Sequence, residues 1–433
     1  MKVLPLYSAQ PLSNFLAIFG INKHLGIFEQ EELSLRVLFI IGQAALGGIE
    51  TYSLRMCREL HRRGHRLDVW IIKPGGDQAL LDEFRRVAEV RFLSKLTPVP
   101  LLPTAPAVPA DCDLVFTTGR LSLIFGALAL RPPHCPPLVA GVFSQWEYSG
   151  VANDYKSRIS HDVIQQIGMQ NLVFCTEGCR QFHSSTFGDK IENSIISPLL
   201  IDLPAPASIK SAETNRTPLR IVSVGSFTSF KTYNFVLPSV IAELRRAGIQ
   251  LEWTIYGNGQ ELTRIRAAIN NAGAEKFIHL AGTMDYSKFA ETVGNADLYI
   301  GAGTTLIEAS AIGVPALVAL DDNPVATTPG FFADRMGTFT SDWADGDQLI
   351  PFRDAIIDFA TMSQDARQAL RDRSIARARA YSIGGAEREI QRIISNAKPS
   401  CPRLKLSMRL RYGLGVLHET FRVVSGRGAY RVR

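Results

Sequence analysis

An α/β fold of two Rossmann-like, doubly wound halves facing across a cleft is predicted by three features of this 433-residue chain. Short apolar runs alternate with segments of helical period over most of the sequence, the pattern of parallel sheets with crossover helices. The alternation breaks in a proline-bearing stretch over residues 203–218 and then begins again. The two beginnings share local spelling: Glu59-Leu60, Gly64 and Leu67-Asp68 correspond to Glu243-Leu244, Gly248 and Leu251-Glu252. The length itself also exceeds what one ordinary core uses.

The elements follow in order. Residues 35–41 form the first apolar strand, which runs into a loop ending at Gly47-Gly48. A helix follows, because Ile49, Tyr52, Ser53, Met56, Cys57 and Leu60 recur on one face. Gly64 is placed to end it, and 67–72 is the second strand. Further strands are expected at 114–117, 138–143 and 171–175. After the linker come a strand at 219–225, a helix at 233–246 stopped by Gly248, and a strand at 251–256. The chain thus divides into an extension (1–34), a first half (35–203), a linker (204–218) and a second half (219–383). A helix over 384–397 crossing back toward the first half and a basic tail over 398–433 complete it.

Composition narrows the class. With 46% hydrophobic and 20% charged residues the chain reads as a globular protein. No run is apolar and long enough to cross a bilayer, and Lys2 precedes a mixed stretch without a signal-peptide pattern, so the cytoplasm is the expected compartment. The six cysteines, at 57, 112, 135, 175, 179 and 401, form no C-x-x-C pair. Buried free thiols are expected, rather than a metal site or a disulfide framework. The net charge of +6 is uneven: residues 398–433 hold nine Lys or Arg against Glu419, a balance of +8 that leaves about −2 elsewhere. Two readings of the tail stand: contact with an anionic membrane surface on its inner face, or a solvated mobile end. Nucleic acid is not an expected partner, because the body carries no recognition motif.

Ligands of such folds gather at the carboxyl ends of the strands, which selects the motifs that can matter. The strand over 297–300 runs into Gly301-Ala302-Gly303 and a helix opening near Thr304. Small residues there admit a phosphate, and the helix dipole favours its charge. Thr304 and Thr305 add hydroxyls, and Glu308 one turn on is suited to ribose hydroxyls or simply to the dipole. Gly225, Ser226 and Lys231 leave another strand end, where a lysine can meet a pyrophosphate as a point charge. Gly257 and Asn258 form a third such turn in the same half. In the first half, Gly47 and Gly48 leave room for an acceptor or the donor phosphates, while Glu50 serves chiefly to charge the helix start. Asp111-Cys112-Asp113 spells a D-x-D triplet at the wrong end of its strand to hold a metal, and Asp345-Gly346-Asp347 reads as a turn. No metal and no cofactor are expected.

These pieces, taken together in their order, resemble glycosyltransferase family 4 enzymes with the GT-B fold over roughly residues 36–390. The matching segments are GGIETYSLRMCRELHRRGH, SVGSFTSFK, YGNGQEL, FIHLAGTMDYSKFAETVGNADLYI and LIEASAIGVPALVA. The resemblance implies a nucleotide-diphosphate sugar as donor, bound in the second half without metal, and a glycan or lipid-linked acceptor. It also implies transfer with retention at the anomeric carbon. Lys231 matches the family's lysine facing the diphosphate, Glu308 its ribose-associated glutamate, and Gly47 and Gly48 its glycine loop. Three departures stand out. Ser226 replaces the usual arginine, Ile300 falls where the first glutamate of the pair belongs, and the segment 141–149 lacks the common histidine and offers Ser144, Gln145 and Glu147 instead. A sugar-nucleotide 2-epimerase and a binding subunit without turnover are the alternative readings.

Overall fold

The computed structural model describes residues 34–45, 47–93, 103–149, 154–204, 217–344 and 346–424. The expected extension up to residue 33, all of the linker between 205 and 216, Asp345 and the end of the tail lie outside the described residues. Among the described residues the first half holds seven parallel strands: β1 (Arg36–Ile41), β2 (Arg66–Ile71), β3 (Glu89–Phe92), β4 (Leu114–Thr117), β5 (Leu138–Val142), β6 (Leu172–Phe174) and β7 (Ile195–Ile196). They lie in the order 3-2-1-4-5-6-7. Its helices are α1 (Gly48–Arg62), α2 (Gln78–Val87), α3 (Arg120–Ala129), α4 (Tyr155–Ile167) and α5 (Glu177–Phe187).

Among the described residues the second half repeats the plan with five parallel strands. These are β8 (Leu219–Val224), β9 (Leu251–Tyr256), β10 (Ile278–Gly282), β11 (Leu298–Gly301) and β12 (Ala316–Val318), in the order 10-9-8-11-12. A small antiparallel pair, β13 (Thr327–Thr328) and β14 (Ile350–Pro351), lies apart. The helices are α6 (Tyr233–Arg246), α7 (Leu262–Ala272), α8 (Phe289–Val293), α9 (Thr304–Ala311), α10 (Phe352–Thr361) and α11 (Gln364–Arg379). Both sheets are therefore doubly wound α/β sheets. Each reverses its strand order beside its first strand, between β1 and β4 and between β8 and β11, and such reversals open a crevice at the strand ends.

Burial on both faces follows from side-chain alternation. In β1, Leu38 and Ile40 enter one apolar cluster while Val37, Phe39 and Ile41 enter another. In β8, Leu219 and Ile221 face one cluster and Val222 and Val224 the other. Each such aliphatic side chain contributes roughly 1.5–3 kcal/mol by leaving water. The buried polar residue of β8, Ser223, is satisfied: it donates to the Ile300 carbonyl and accepts from Trp253 Nε1 at 2.9 Å.

The chain after the second half returns to the first. Helix α12 (Ala386–Asn396) inserts Ala386, Ile390 and Ile393 into the cluster built on β1 and α1. The last described helix, α13 (Leu406–Val424), lies on α4. Lys398 is held by the Asn171 side chain, Tyr412 meets the rings of Phe125 and Tyr155 edge-on, and Glu419 pairs with Lys156 at 2.9 Å. The solvated-tail reading thus does not describe 398–424. The cysteine expectation is corrected in one respect. Cys57, Cys112, Cys175 and Cys179 are buried free thiols, but Cys135 and Cys401 form a disulfide, because the returning tail brings together two residues 266 positions apart.

Candidate active site

The loops leaving β8 and β9 are locked together. Phe227 N–H donates to the Asn258 carbonyl at 2.9 Å, and Gly257 N–H to that of Gly282 at 2.8 Å. A β-carbon on Gly257 would fall 2.0 Å from the Gly225 carbonyl oxygen, and one on Gly259 2.3 Å from that of Phe227. Only glycine permits this approach of two backbones, and it sets Gly225 at the head of the crevice. There the Lys231 ammonium lies so close over Gly225 that a β-carbon would meet it at 2.6 Å. Burial lowers the Lys231 pKa, and the carboxyl of Asp321, just past β12, opposes that. Burial in turn pushes Asp321 up to about 7 against the pull of Lys231, and its Oδ1 has no hydrogen-bond partner among the described residues. Ser226 is exposed beside them and brings no charge.

Across the crevice, Gly303 has φ of 77° and caps α9 without a side-chain bond, its N–H donating to Ser341 Oγ at 3.0 Å. The start of α9 therefore opens toward the side on which Gly225 and Lys231 stand, since β8 and β11 are neighbours. Thr304 sits half-buried at this helix start. The Thr305 hydroxyl turns into the fold, donating to the Val224 carbonyl at 3.2 Å and accepting from Tyr299 at 2.7 Å. Ile300, at the place of the missing glutamate, is fully buried in the sheet.

Glu308, on α9, is buried and faces the first half. Its Oε1 accepts from Arg55 Nη2 of α1 at 2.5 Å, and its Oε2 accepts from the Tyr286 hydroxyl. Arg55 Nε also lies 3.3 Å from Asp202. Burial raises the Glu308 pKa while Arg55 and Tyr286 hold it down. A second contact between the halves lies at α5: the Thr176 hydroxyl donates to Asp342, and Glu177 N–H donates to Thr338 Oγ1 at 2.9 Å.

On the first-half side, Gly47 is the N-cap of α1 and has no side-chain cap. The Glu50 carboxylate folds back over that turn, where a β-carbon on Gly47 would meet it at 2.6 Å, and burial raises its pKa. Gly48 borders open space. After β5, Glu147 accepts from Phe143 N–H at 3.0 Å and is pushed by burial up to about 7. The D-x-D aspartates lie at the opposite end of the sheet and serve the fold: Asp111 pairs with Arg36 and Arg66, and Asp113 accepts from Arg36 N–H. Asp347 accepts from Ala344 N–H and pairs with Arg335, as a turn residue does. Among the described residues no group of three or more His, Cys, Asp or Glu is placed to hold a metal ion.

Sequence reasoning singled out Gly225, Lys231, Gly257, Asn258, Gly303 and Glu308, and the structure gathers them at one end of the second sheet. It missed Arg55, Tyr286, Asp321 and Ser341. Asp321 had a legible signal, an acid directly after a core strand; the others depend on how distant segments meet.

Two parallel doubly wound sheets, with glycine turns and a lysine at the reversal of the second, make up a GT-B architecture. Two family models match in tandem, Glycosyltransferase Family 4 over residues 46–196 and Glycosyl transferases group 1 over residues 205–326. The chain belongs to the glycosyltransferase family 4 type. No curated protein sequence matches it significantly. Among solved structures, HepE from Anabaena, in complex with UDP and glucose, aligns with a TM-score of 0.57 at 15% identity, covering 83% of this chain and 99% of that one. A glycosyltransferase from Rickettsia africae aligns at 0.57 and 13%, over 84% and 98%. The pneumococcal O-GlcNAc transferase GtfA, in complex with UDP and GlcNAc, aligns at 0.54 and 13%, over 83% and 99%.

Proposed function

We propose that the protein transfers a sugar, with retention, from a nucleoside-diphosphate sugar to a glycan or lipid-linked acceptor in polysaccharide or glycoconjugate synthesis. The observation that carries this reading is the Lys231 ammonium seated over Gly225 at the reversal of the second sheet. A diphosphate there meets one fixed cation and the N-terminus of α9, whose N–H groups and dipole stabilise the negative charge that grows as the sugar–phosphate bond breaks. Lys231 then serves the leaving group. Glu308 binds the ribose hydroxyls after exchanging Arg55 and Tyr286 for them, so donor binding and the relation of the two halves are coupled. Gly47 and Gly48 leave the opposite wall open to the acceptor. Closure excludes water and limits hydrolysis of the donor.

The UDP complexes of HepE and GtfA make a uridine nucleotide the first to test. Thermal unfolding is followed with UDP, GDP, TDP and ADP for the wild type and Lys231→Met. A ligand at about a hundred times its Kd adds roughly 2.7 kcal/mol. Stabilisation by one diphosphate, reduced in the variant, is expected. No stabilisation by any of them removes the donor site.

Two observations favour a second reading, a binding subunit without turnover. Ile300 puts an apolar side chain where the family carries a carboxylate, and Ser226 leaves the diphosphate with one cation fewer. Nucleotide binding without transfer or hydrolysis of any donor is the outcome that selects it.

A further inference from the structure

The family relationship does not account for α13. This 19-residue helix uses one side to dock: Met408 and Tyr412 pack on the first half, a β-carbon on Gly415 would run into the Tyr155 ring, and Glu419 is spent on Lys156. The other side carries Leu406, Leu410, Leu414, Leu417 and Phe421, each between 46% and 66% exposed. Their spacing of four, four, three and four residues places all five within an arc of about 80°, nearly opposite the docked side. A continuous apolar stripe on a seated helix is not the scatter of single hydrophobic residues that any surface shows.

The charges beside the stripe name its occupant. By helical geometry the half-buried Arg409 and the exposed Arg411 flank it at about 100° on either side of its centre, and Arg411 stands where a long cationic side chain reaches toward headgroups. Arg403 and Lys405 stand exposed just before the helix, and Arg427, Arg431 and Arg433 follow it in sequence. With Glu419 already paired, the acidic side chain of this region is neutralised within the fold. Two such helices laid face to face would bring these cations against each other, which disfavours a second copy. No described helix is long and apolar enough to cross a membrane, so insertion as a span is not what the stripe serves.

We propose that the outward face of α13 is a docking surface for an anionic lipid bilayer, lying in the headgroup plane with the leucine stripe down. The seating of its other side on α4, with the tail joined to the first half through Cys135 and Cys401, holds the stripe in a fixed orientation. Binding of this kind needs no turnover, so it stands or falls separately from the transferase reading.

The test floats the full-length protein with vesicles of phosphatidylcholine, with and without phosphatidylglycerol, at low and raised salt. Binding to the anionic vesicles at least tenfold tighter than to the neutral ones, and weakening with salt, is expected. L410S/L414S/L417S should lose at least tenfold in vesicle affinity with its melting temperature unchanged, because the three side chains are exposed. R403E/R411E should lose the preference for anionic lipid. A wild type that does not bind anionic vesicles overturns the proposal, as does binding that survives the triple serine change. A concentration-dependent dimer that this same variant abolishes assigns the stripe to a second copy and overturns it equally.

Discussion

Arg55 Nη2 donates to Glu308 Oε1 at 2.5 Å, so a helix of the first sheet and a helix of the second are tied by a buried ion pair across the crevice. The guanidinium is also held by Asp202 and the Tyr286 hydroxyl, and the carboxylate by Tyr286. Removing one partner leaves the other buried without its counter-charge. Arg55→Met should therefore destabilise the unliganded protein by about 3–5 kcal/mol. The double variant Arg55→Met with Glu308→Met should recover most of that. Urea unfolding of the four proteins gives the coupling energy directly; additive losses would show that the pair contributes nothing as a pair.

Lys231 poses the complementary case, a buried cation near the Asp321 carboxyl at the place proposed for a phosphate. Lys231→Met removes the charge that would meet the diphosphate, and a charge-assisted contact of this kind is worth about 1.5–3 kcal/mol. The Kd for the stabilising nucleoside diphosphate should rise about ten- to a hundredfold. Calorimetric titration checks this, and an unchanged Kd removes Lys231 from the donor site.

The fold was legible where apolar runs end in glycine. The helix expected over 233–246 and the strand over 251–256 match Tyr233–Arg246 and Leu251–Tyr256, because Gly248 at φ 92° punctuates them. β3 escaped notice because Glu89–Phe92 alternates exposed and half-buried residues at a sheet edge and carries no apolar run. In the candidate site, glycines and Lys231 were legible since each lies in a loop that follows a strand. Arg55 was not: it lies 253 residues from Glu308, and no local period encodes where two sheets meet. The Cys135–Cys401 disulfide was hidden for the same reason, because it requires the tail to return to the first half.

Gly259 tests whether the locked pair of loops is a structural requirement of the site. Its φ is 153° and a β-carbon would meet the Phe227 carbonyl oxygen at 2.3 Å, a backbone atom that cannot rotate away. Gly259→Ala should cost roughly 2–4 kcal/mol from strain and overpacking together. Gly248→Ala, whose β-carbon meets nothing within 4 Å, carries only the positive-φ penalty and should cost about 1 kcal/mol. Equal losses in thermal unfolding would contradict the close-approach argument.

Glu147 connects the first half to pH. Burial places its folded pKa at about 7, while the unfolded carboxyl titrates near its ordinary 4.5. Below pH 4.5 both states are protonated and the group contributes nothing to the balance. Between these values the unfolded chain releases its proton and the folded one does not, so wild-type stability falls as the pH rises; above about 7 the penalty is complete. Glu147→Gln keeps an oxygen to accept from Phe143 N–H and cannot ionise. The variant should exceed the wild type by roughly 3 kcal/mol at pH 8 and equal it at about pH 4. Denaturant unfolding across this range checks the slope. A difference that is constant with pH would mean that the carboxyl is ionised in the folded protein, held as an anion near Arg120 and the open start of α3.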